Sequence, residues 1–271
     1  MFMKKFQIGI LGLGTVGTGV IEILREQSEN FKKRFGVSFQ TKKVLVKNIN
    51  KKRSVDLQGI ELTEKIEDII GDPDIDIVIE LIGGKTIAKK AIIASLEAKK
   101  NVISANKDLI ADDGRQLADL AEKNNVGFYY EAAVAGAIPI LRALENSLDS
   151  DRIESINGII NGTSNFILSK MRQQKMSYRQ ALSLAQELGF AEADPTNDVD
   201  GIDAAYKLQI LADFAFGKQI EQKDIQMSGI RTVTQQDLND VSELGYEIKL
   251  LANASLIDGR FTILSRTDLS T

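Results

Sequence analysis

From Phe6 to about Leu148, short apolar runs alternate with stretches whose apolar residues return at every third or fourth position. The runs predict strands and the spaced pattern predicts amphipathic helices, because side chains change face along a strand and share a face at helical spacing. Strands are expected at Phe6–Leu11, Val44–Val46, Ile75–Leu81, Asn101–Ser104 and Val126–Glu131. Helices are expected at Val16–Phe35, around Glu64–Ile70, at Thr86–Lys99 and at Asp112–Asn124. Strands separated by helices of this length predict an α/β fold, a doubly wound and mostly parallel sheet.

The texture changes near Asp149, which divides the chain into a first domain over 1–148 and a second over 149–271. The second pattern predicts a strand at Arg152–Ile160, helices at Ser164–Gln174, Tyr178–Leu188 and Ile202–Phe216, and two strands within Tyr246–Arg266. Asp258-Gly259 is a favoured two-residue hairpin turn between those strands. Helices beside antiparallel strands make this an α+β domain. No proline- or serine-rich linker separates the halves, and there are no internal repeats.

Composition narrows the chemistry. Hydrophobic residues are 43% of 271, enough for a sizeable core, and a net charge of −4 argues against nucleic acid as a partner. No stretch approaches the ~20 apolar residues of a membrane span. The apolar start is interrupted by Gln7 and four glycines, so it reads as a buried strand rather than a signal peptide, and the expected location is cytoplasmic. Cysteine and histidine are both absent. That excludes disulfides, thiolate zinc sites and a thiol nucleophile, and leaves proton chemistry to Lys, Asp, Glu, Tyr or water.

Gly12-Leu13-Gly14-Thr15-Val16-Gly17 spells G-x-G-x-x-G between a predicted strand and a predicted helix. In that context Gly12 permits a tight turn, Gly14 lets the backbone approach a pyrophosphate, and Gly17 allows close helix–strand packing. The loop therefore predicts a Rossmann-type dinucleotide site, with the phosphates on the free N–H groups of the helix start. A cofactor with a free ribose 2′-hydroxyl is normally met by an acid at the end of the second strand. Here Val46 is followed by Lys47 and Asn48, with Lys51, Lys52 and Arg53 beyond. This basic cluster suits a 2′-phosphate, so NADP is expected over NAD; a solvated basic loop is the other reading.

From Glu80 onward the motifs become specific: ELIGG (80–84), SANKDLIA (104–111), YEAAVAGAIPIL (130–141), NGIINGTSNFIL (157–168) and ELGFAEADPTNDVDGIDAAYKLQILA (187–212). In this order, behind the glycine loop, they resemble the homoserine dehydrogenase family from Phe6 to about Arg266. The resemblance implies hydride transfer between NADPH and L-aspartate 4-semialdehyde, giving L-homoserine for threonine, methionine and isoleucine biosynthesis. It implies Lys207 as proton donor, Lys107 beside the nicotinamide and the reacting oxygen, and Glu192 and Asp203 as ligands of the substrate's amino-acid end. Thr163 is a weaker substrate candidate, while Gly83 and Gly189 match positions near the cofactor. It further implies a sodium or potassium ion held by Glu131, Val134, Gly136 and Ile138, and a homodimer formed through the second domain.

The residues themselves are consistent with these roles. Reducing an aldehyde builds negative charge on oxygen, which calls for a cation and then a proton. Asp203 and Lys207, four apart on a predicted helix, also fit a plain surface pair worth ~0.3–0.5 kcal/mol. The polar stretch Asn161–Asn165 would equally serve to cap a helix, and the loop Glu131–Pro139 to leave a strand and start one at Pro139. Family members usually continue past the equivalent of Thr271 with HPLA-like and GPGAG-like motifs, and many add a regulatory ACT domain. The chain is thus expected to be C-terminally short: a fragment, a truncated product or half of a split protein. A cofactor-binding but inactive remnant, and an NADP-dependent reductase of another amino or hydroxy acid, remain alternatives. Semialdehyde dehydrogenases working through a thioester are excluded for want of cysteine.

Overall fold

The computed structural model of the chain describes residues 4–257 and 260–270. They form two compact units divided at Ala133/Val134. The first contains β1 (Lys4–Leu11), α1 (Thr15–Glu26), α2 (Ser28–Phe35), β2 (Val37–Leu45), β3 (Glu61–Thr63), α3 (Glu67–Ile70), β4 (Ile77–Glu80), α4 (Thr86–Glu97), β5 (Asn101–Ser104), α5 (Lys107–Lys123) and β6 (Phe128–Tyr129), then a 3₁₀ turn at Glu131–Ala133. All six strands are parallel, in the order β3-β2-β1-β4-β5-β6. The order reverses between β1 and β4, where open sheets of this type present a ligand crevice at the carboxyl ends of their strands.

Strand alternation explains the two cores. Ile8 and Ile10 of β1 pack on one face with Ile21 of α1, whereas Leu11 packs on the other with Ile92 and Leu96 of α4. A strand buried on both faces reads as a continuous apolar run, which is why β1, β4 and β5 are plain in the sequence. The expected helix Val16–Phe35 is instead two helices. Gln27 (φ −91°, ψ 6°) turns the chain so that Phe31 of α2 meets Phe39 of β2 edge-on at 5.4 Å. β2 begins at Val37, earlier than expected, because its first half alternates polar and apolar residues. The helix expected from Asp112 starts at Lys107, since the Asn106 side chain caps it by accepting from Leu109 N.

The second unit contains α6 (Ile140–Asn146), β7 (Ser155–Gly158), α7 (Gly162–Gln174), α8 (Tyr178–Glu187), α9 (Thr196–Val199), α10 (Ile202–Phe216), a 3₁₀ turn (Gln222–Asp224), β8 (Gln226–Met227), α11 (Gln235–Glu243), β9 (Glu247–Ile257) and β10 (Arg260–Ser270). The sequence pattern set its domain boundary at Leu148/Asp149; the observed unit also includes α6, which packs on α10. Its sheet runs β7-β9-β10-β8, antiparallel except for the β10–β8 pair. α10 covers Ala252, Ala254 and Ile263, and the α7, α8 and α11 layer covers Leu250. The opposite face presents Asn157, Leu251, Asn253, Leu264 and Arg266 around a shallow cleft. The expected turn Asp258-Gly259 lies outside the described residues; the strands flanking it pair antiparallel from Ile257 and Arg260 onward.

Candidate active site

The glycine loop of the first unit leaves β1 at the switch point. Gly12 has φ +106°, and a Cβ there would stand 2.7 Å from the Leu81 carbonyl oxygen. A Cβ on Gly17 would stand 2.4 Å from the Gly12 carbonyl oxygen, whereas one on Gly14 would meet nothing within 4 Å. Two of the glycines thus allow close packing, and the third leaves open the space a pyrophosphate needs beside the start of α1. Leu13 and Gly14 also line a cleft of about 460 Å³ that extends to Val46, Lys47 and Lys51. Thr15 and Val16 form the exposed first turn of α1.

The basic loop after β2 divides its labour. Lys47, Lys51 and Arg53 line the cleft, and Lys52 does not. The Arg53 guanidinium donates to the carbonyls of Asn48 (2.7 Å), Ile49 (3.2 Å) and Lys51 (2.7 Å), so it shapes the loop that carries the two lysines. An acid also reaches the cleft: Glu64, just after β3, accepts a hydrogen bond from Ile49 N at 3.0 Å. Sequence reasoning missed it as a cleft residue because the pattern placed Glu64 at the start of an expected helix, which begins instead at Glu67.

Glu80, at the end of β4, is wholly buried. Its carboxylate accepts from Ile82 N (2.8 Å), Gly83 N (3.3 Å) and the Ser104 hydroxyl (2.7 Å). Asn106 donates from its backbone to Ser104 Oγ and from its side chain to the Gly84 carbonyl. One acid therefore ties the loop holding Gly83 to the turn that presents Lys107. Lys107 opens α5, and its ammonium lies 3.7 Å from the Asp108 carboxylate. A cation at a helix N-terminus opposes the helix dipole; such local disagreements are expected at functional positions.

In the second unit, Gly201 (φ +81°) turns the chain into α10, which puts Asp203 in the first turn and Lys207 one turn later. The Lys207 ammonium lies 2.6 Å from Asp203 Oδ2 and donates to the Ile160 carbonyl at 2.9 Å. The side chains are 8% and 22% exposed for Asp203 and Lys207, so the pair is a buried one and not the solvated surface pair that spacing alone allowed. The Asn161 side chain donates to Asp203 Oδ2 (2.9 Å) and Asp198 Oδ1 (2.7 Å), while its own oxygen caps α7 by accepting from Ser164 N (2.8 Å). Asn165 anchors this segment to the sheet, exchanging hydrogen bonds with the Leu250 backbone. The structure thus joins Asp203 and Lys207 and adds Asn161, Ser164 and Asp198. In the sequence Asn161 and Ser164 stood out only as part of a polar stretch suited to capping a helix, and Asp198 not at all.

Thr163 donates to the Phe190 carbonyl at 2.7 Å, Gly189 is left-handed at φ +76°, and Glu192 is exposed on the loop after α8. Around the expected cation ligands, Glu131 sits in the 3₁₀ turn, Val134 is buried, and Gly136 and Ile138 are exposed. Ala135 and Ala137 adopt left-handed backbone (φ 49° and 69°), uncommon for residues with a Cβ. Among the described residues there is no group of three or more acidic side chains that could hold a metal ion.

A glycine loop shaped in this way, at the switch point of a 3-2-1-4-5-6 parallel sheet, defines a dinucleotide-binding protein of the Rossmann class. Family models sharpen that class: residues 12–131 match "Homoserine dehydrogenase, NAD binding domain" and residues 139–269 match "Homoserine dehydrogenase". The chain belongs to the homoserine dehydrogenase family. Homoserine dehydrogenase of Bacillus subtilis (strain 168) is 48% identical over 252 residues, which are 93% of this chain and 58% of that protein. The crystal structure of a homoserine dehydrogenase from Thiobacillus denitrificans superposes with TM-score 0.94 at 42% identity, over 98% of this chain and 62% of that one. A putative homoserine dehydrogenase from Archaeoglobus fulgidus gives TM-score 0.86 at 33% identity, over 98% and 84%. The chain therefore spans about three fifths of the length of the first two relatives. No helix among the described residues is long and apolar enough to cross a membrane.

Proposed function

We propose that this chain performs homoserine dehydrogenase chemistry, NADPH-dependent reduction of L-aspartate 4-semialdehyde to L-homoserine and its reverse. The observation that carries the reading is the Lys207 ammonium, fixed between Asp203 and the Ile160 carbonyl. Those two contacts occupy two of its three N–H donors, leaving a third hydrogen for a substrate oxygen. The cofactor supplies the hydride. As the aldehyde carbon accepts it, the carbonyl oxygen takes the electron pair, and Lys207 stabilises that oxygen and gives it a proton to complete the alcohol. Lys107 is assigned to the same oxygen and the nicotinamide. Asp203, with Glu192 and Thr163, is assigned to the substrate's amino-acid end, where the α-ammonium calls for carboxylates.

The glycine loop with Gly83 and Gly189 is assigned to the cofactor, and Lys47 with Lys51 to a 2′-phosphate, so NADPH is preferred over NADH. The left-handed turns at Ala135 and Ala137 support a monovalent cation on the carbonyls of Val134, Gly136 and Ile138 with Glu131. The open sheet face around Leu251 and Leu264 is assigned to a second copy of the chain. The deciding experiment measures NADPH oxidation with aspartate semialdehyde for the chain and for Lys207→Ala. We expect turnover in the parent and a loss of orders of magnitude in the variant, with NADPH binding retained. Cofactor binding without turnover in the parent, or near-normal turnover in Lys207→Ala, refutes the reading.

A further inference from the structure

The chemistry proposed for Lys207 leaves one buried group unexplained. Asn161 is 2% exposed, and all its side-chain hydrogen-bonding groups are used. One amide nitrogen serves two carboxylates, Asp198 from α9 and Asp203 from α10, while the amide oxygen caps α7 at Ser164 N. The orientation admits no alternative, because a flipped amide would turn its oxygen towards both carboxylates and its hydrogens towards an N–H donor. Ser164 adds a second tie from α7 to α9, its hydroxyl donating to the Asp198 carbonyl at 2.8 Å.

From this geometry, and resting on the functional reading above, we infer that Asn161 is the positioning residue of the site: a neutral double donor that holds Asp203 against Lys207 and keeps Asp198 beside it. The chemistry explains why an amide stands here. Two carboxylates held on one amide nitrogen repel each other, and Lys207 forms its ion pair with Asp203. A second cation could bridge both acids, but it would compete for the carboxylates that a substrate ammonium requires. A hydroxyl has one hydrogen and cannot serve two acceptors. An amide supplies two hydrogens and no charge, so the acids are fixed and their charge stays available. Because the same amide caps α7, the backbone that offers the Ile160 carbonyl to Lys207 and the acid that pairs with Lys207 are set by one side chain.

The test separates capping from donating. Asn161→Asp keeps an oxygen for Ser164 N and remains a good N-cap, but at neutral pH it faces Asp198 and Asp203 with a third carboxylate. We expect kcat for semialdehyde reduction to fall about 100-fold, the loss typical of an ångström-scale misplacement, with the Kd for NADPH unchanged because Asp198, Asp203 and Ser164, the partners of the Asn161 side chain, are not among the residues assigned to the cofactor. The charged groups bonded to Asn161 are Asp198 and Asp203, the latter paired with Lys207. Neighbouring carboxylates raise the affinity of the new acid for a proton, so protonation restores one O–H donor and the deficit narrows as pH falls from about 9 to about 6. Where Asn161→Asp fails to fold, Asn161→Ser, a cap with a single hydroxyl donor, is expected to show a comparable kcat loss, without that pH trend. A folded variant of either kind within twofold of the parent's kcat overturns the inference while Lys207→Ala remains impaired. A parent without turnover overturns the functional reading, and this inference with it.

Discussion

Alanine at Gly14 and alanine at Gly17 each add one methyl group to the same loop, yet the structure assigns them opposite consequences. At Gly17 the new carbon would lie 2.4 Å from the Gly12 carbonyl oxygen, where ordinary carbon–oxygen contacts begin at about 3.3 Å. The obstacle is backbone and cannot rotate away. Gly12 is itself held by its N–H on the Leu45 carbonyl at 3.1 Å and is crowded by the Leu81 carbonyl. Overpacking of this kind costs about 1–3 kcal/mol, which lowers the melting temperature of a unit this size by ~5–10 °C. At Gly14 nothing lies within 4 Å and φ is −91°, a value alanine adopts readily. Removing glycine's freedom from the unfolded chain should even stabilise by ~0.4–1 kcal/mol. The methyl group would, however, fill the space assigned to the pyrophosphate, and each ~1.4 kcal/mol of clash weakens binding tenfold. Fluorescence titration with NADPH and thermal melts of both variants check the contrast. Parental affinity in Gly14→Ala would mean that the pyrophosphate is not seated there. A parental melting temperature in Gly17→Ala would mean that the loop yields more easily than its contacts indicate.

Three further expectations follow from other parts of the molecule. The Asp72 carboxylate, flanked by Lys42 (2.8 Å) and Lys43 (3.0 Å), is held well below the usual carboxylate range, chiefly by its hydrogen bond from Lys42. Its folded value is depressed, so its contribution is full above about pH 4 and is lost as pH falls further; urea melts across that window should show a flatter acid limb for Asp72→Asn, and an unchanged limb would remove Asp72 from the account. Glu80→Gln puts an NH₂ against Ser104 or leaves that hydroxyl without its acceptor, at a cost of about 1–3 kcal/mol, and chemical denaturation at the parent's midpoint would contradict the buried network. Lys51→Glu should raise KM for NADPH roughly tenfold or more, a penalty of ~1.4 kcal/mol, while leaving NADH untouched; equal effects on both cofactors would place the 2′-phosphate elsewhere.

Much of the fold was legible because buried runs advertise themselves: the strand Asn101–Ser104 and the helix Ile202–Phe216 match their patterns to the residue. The break at Gln27 was not, since no glycine or proline marks it and the helical period continues through it. β8 and α11 escaped for the opposite reason, being short or mostly polar. In the site, spacing brought out Asp203 and Lys207 because a helix places i and i+4 on one face. Asn161, Asp198 and Glu80 work through contacts between distant segments, 37 and 42 residues apart for the two Asn161 bonds and 24 for Glu80–Ser104. No local pattern encodes such pairings, and only the motif as a whole hinted at them.

The parallel sheet of the first unit ends in very small strands, β3 with three residues and β6 with two. A long bare margin would offer a row of unpaired amides and carbonyls onto which another polypeptide could zip. With margins this brief, β3 and β6 themselves offer such zipping little to grip, each pairing with only two or three residues of its inner neighbour.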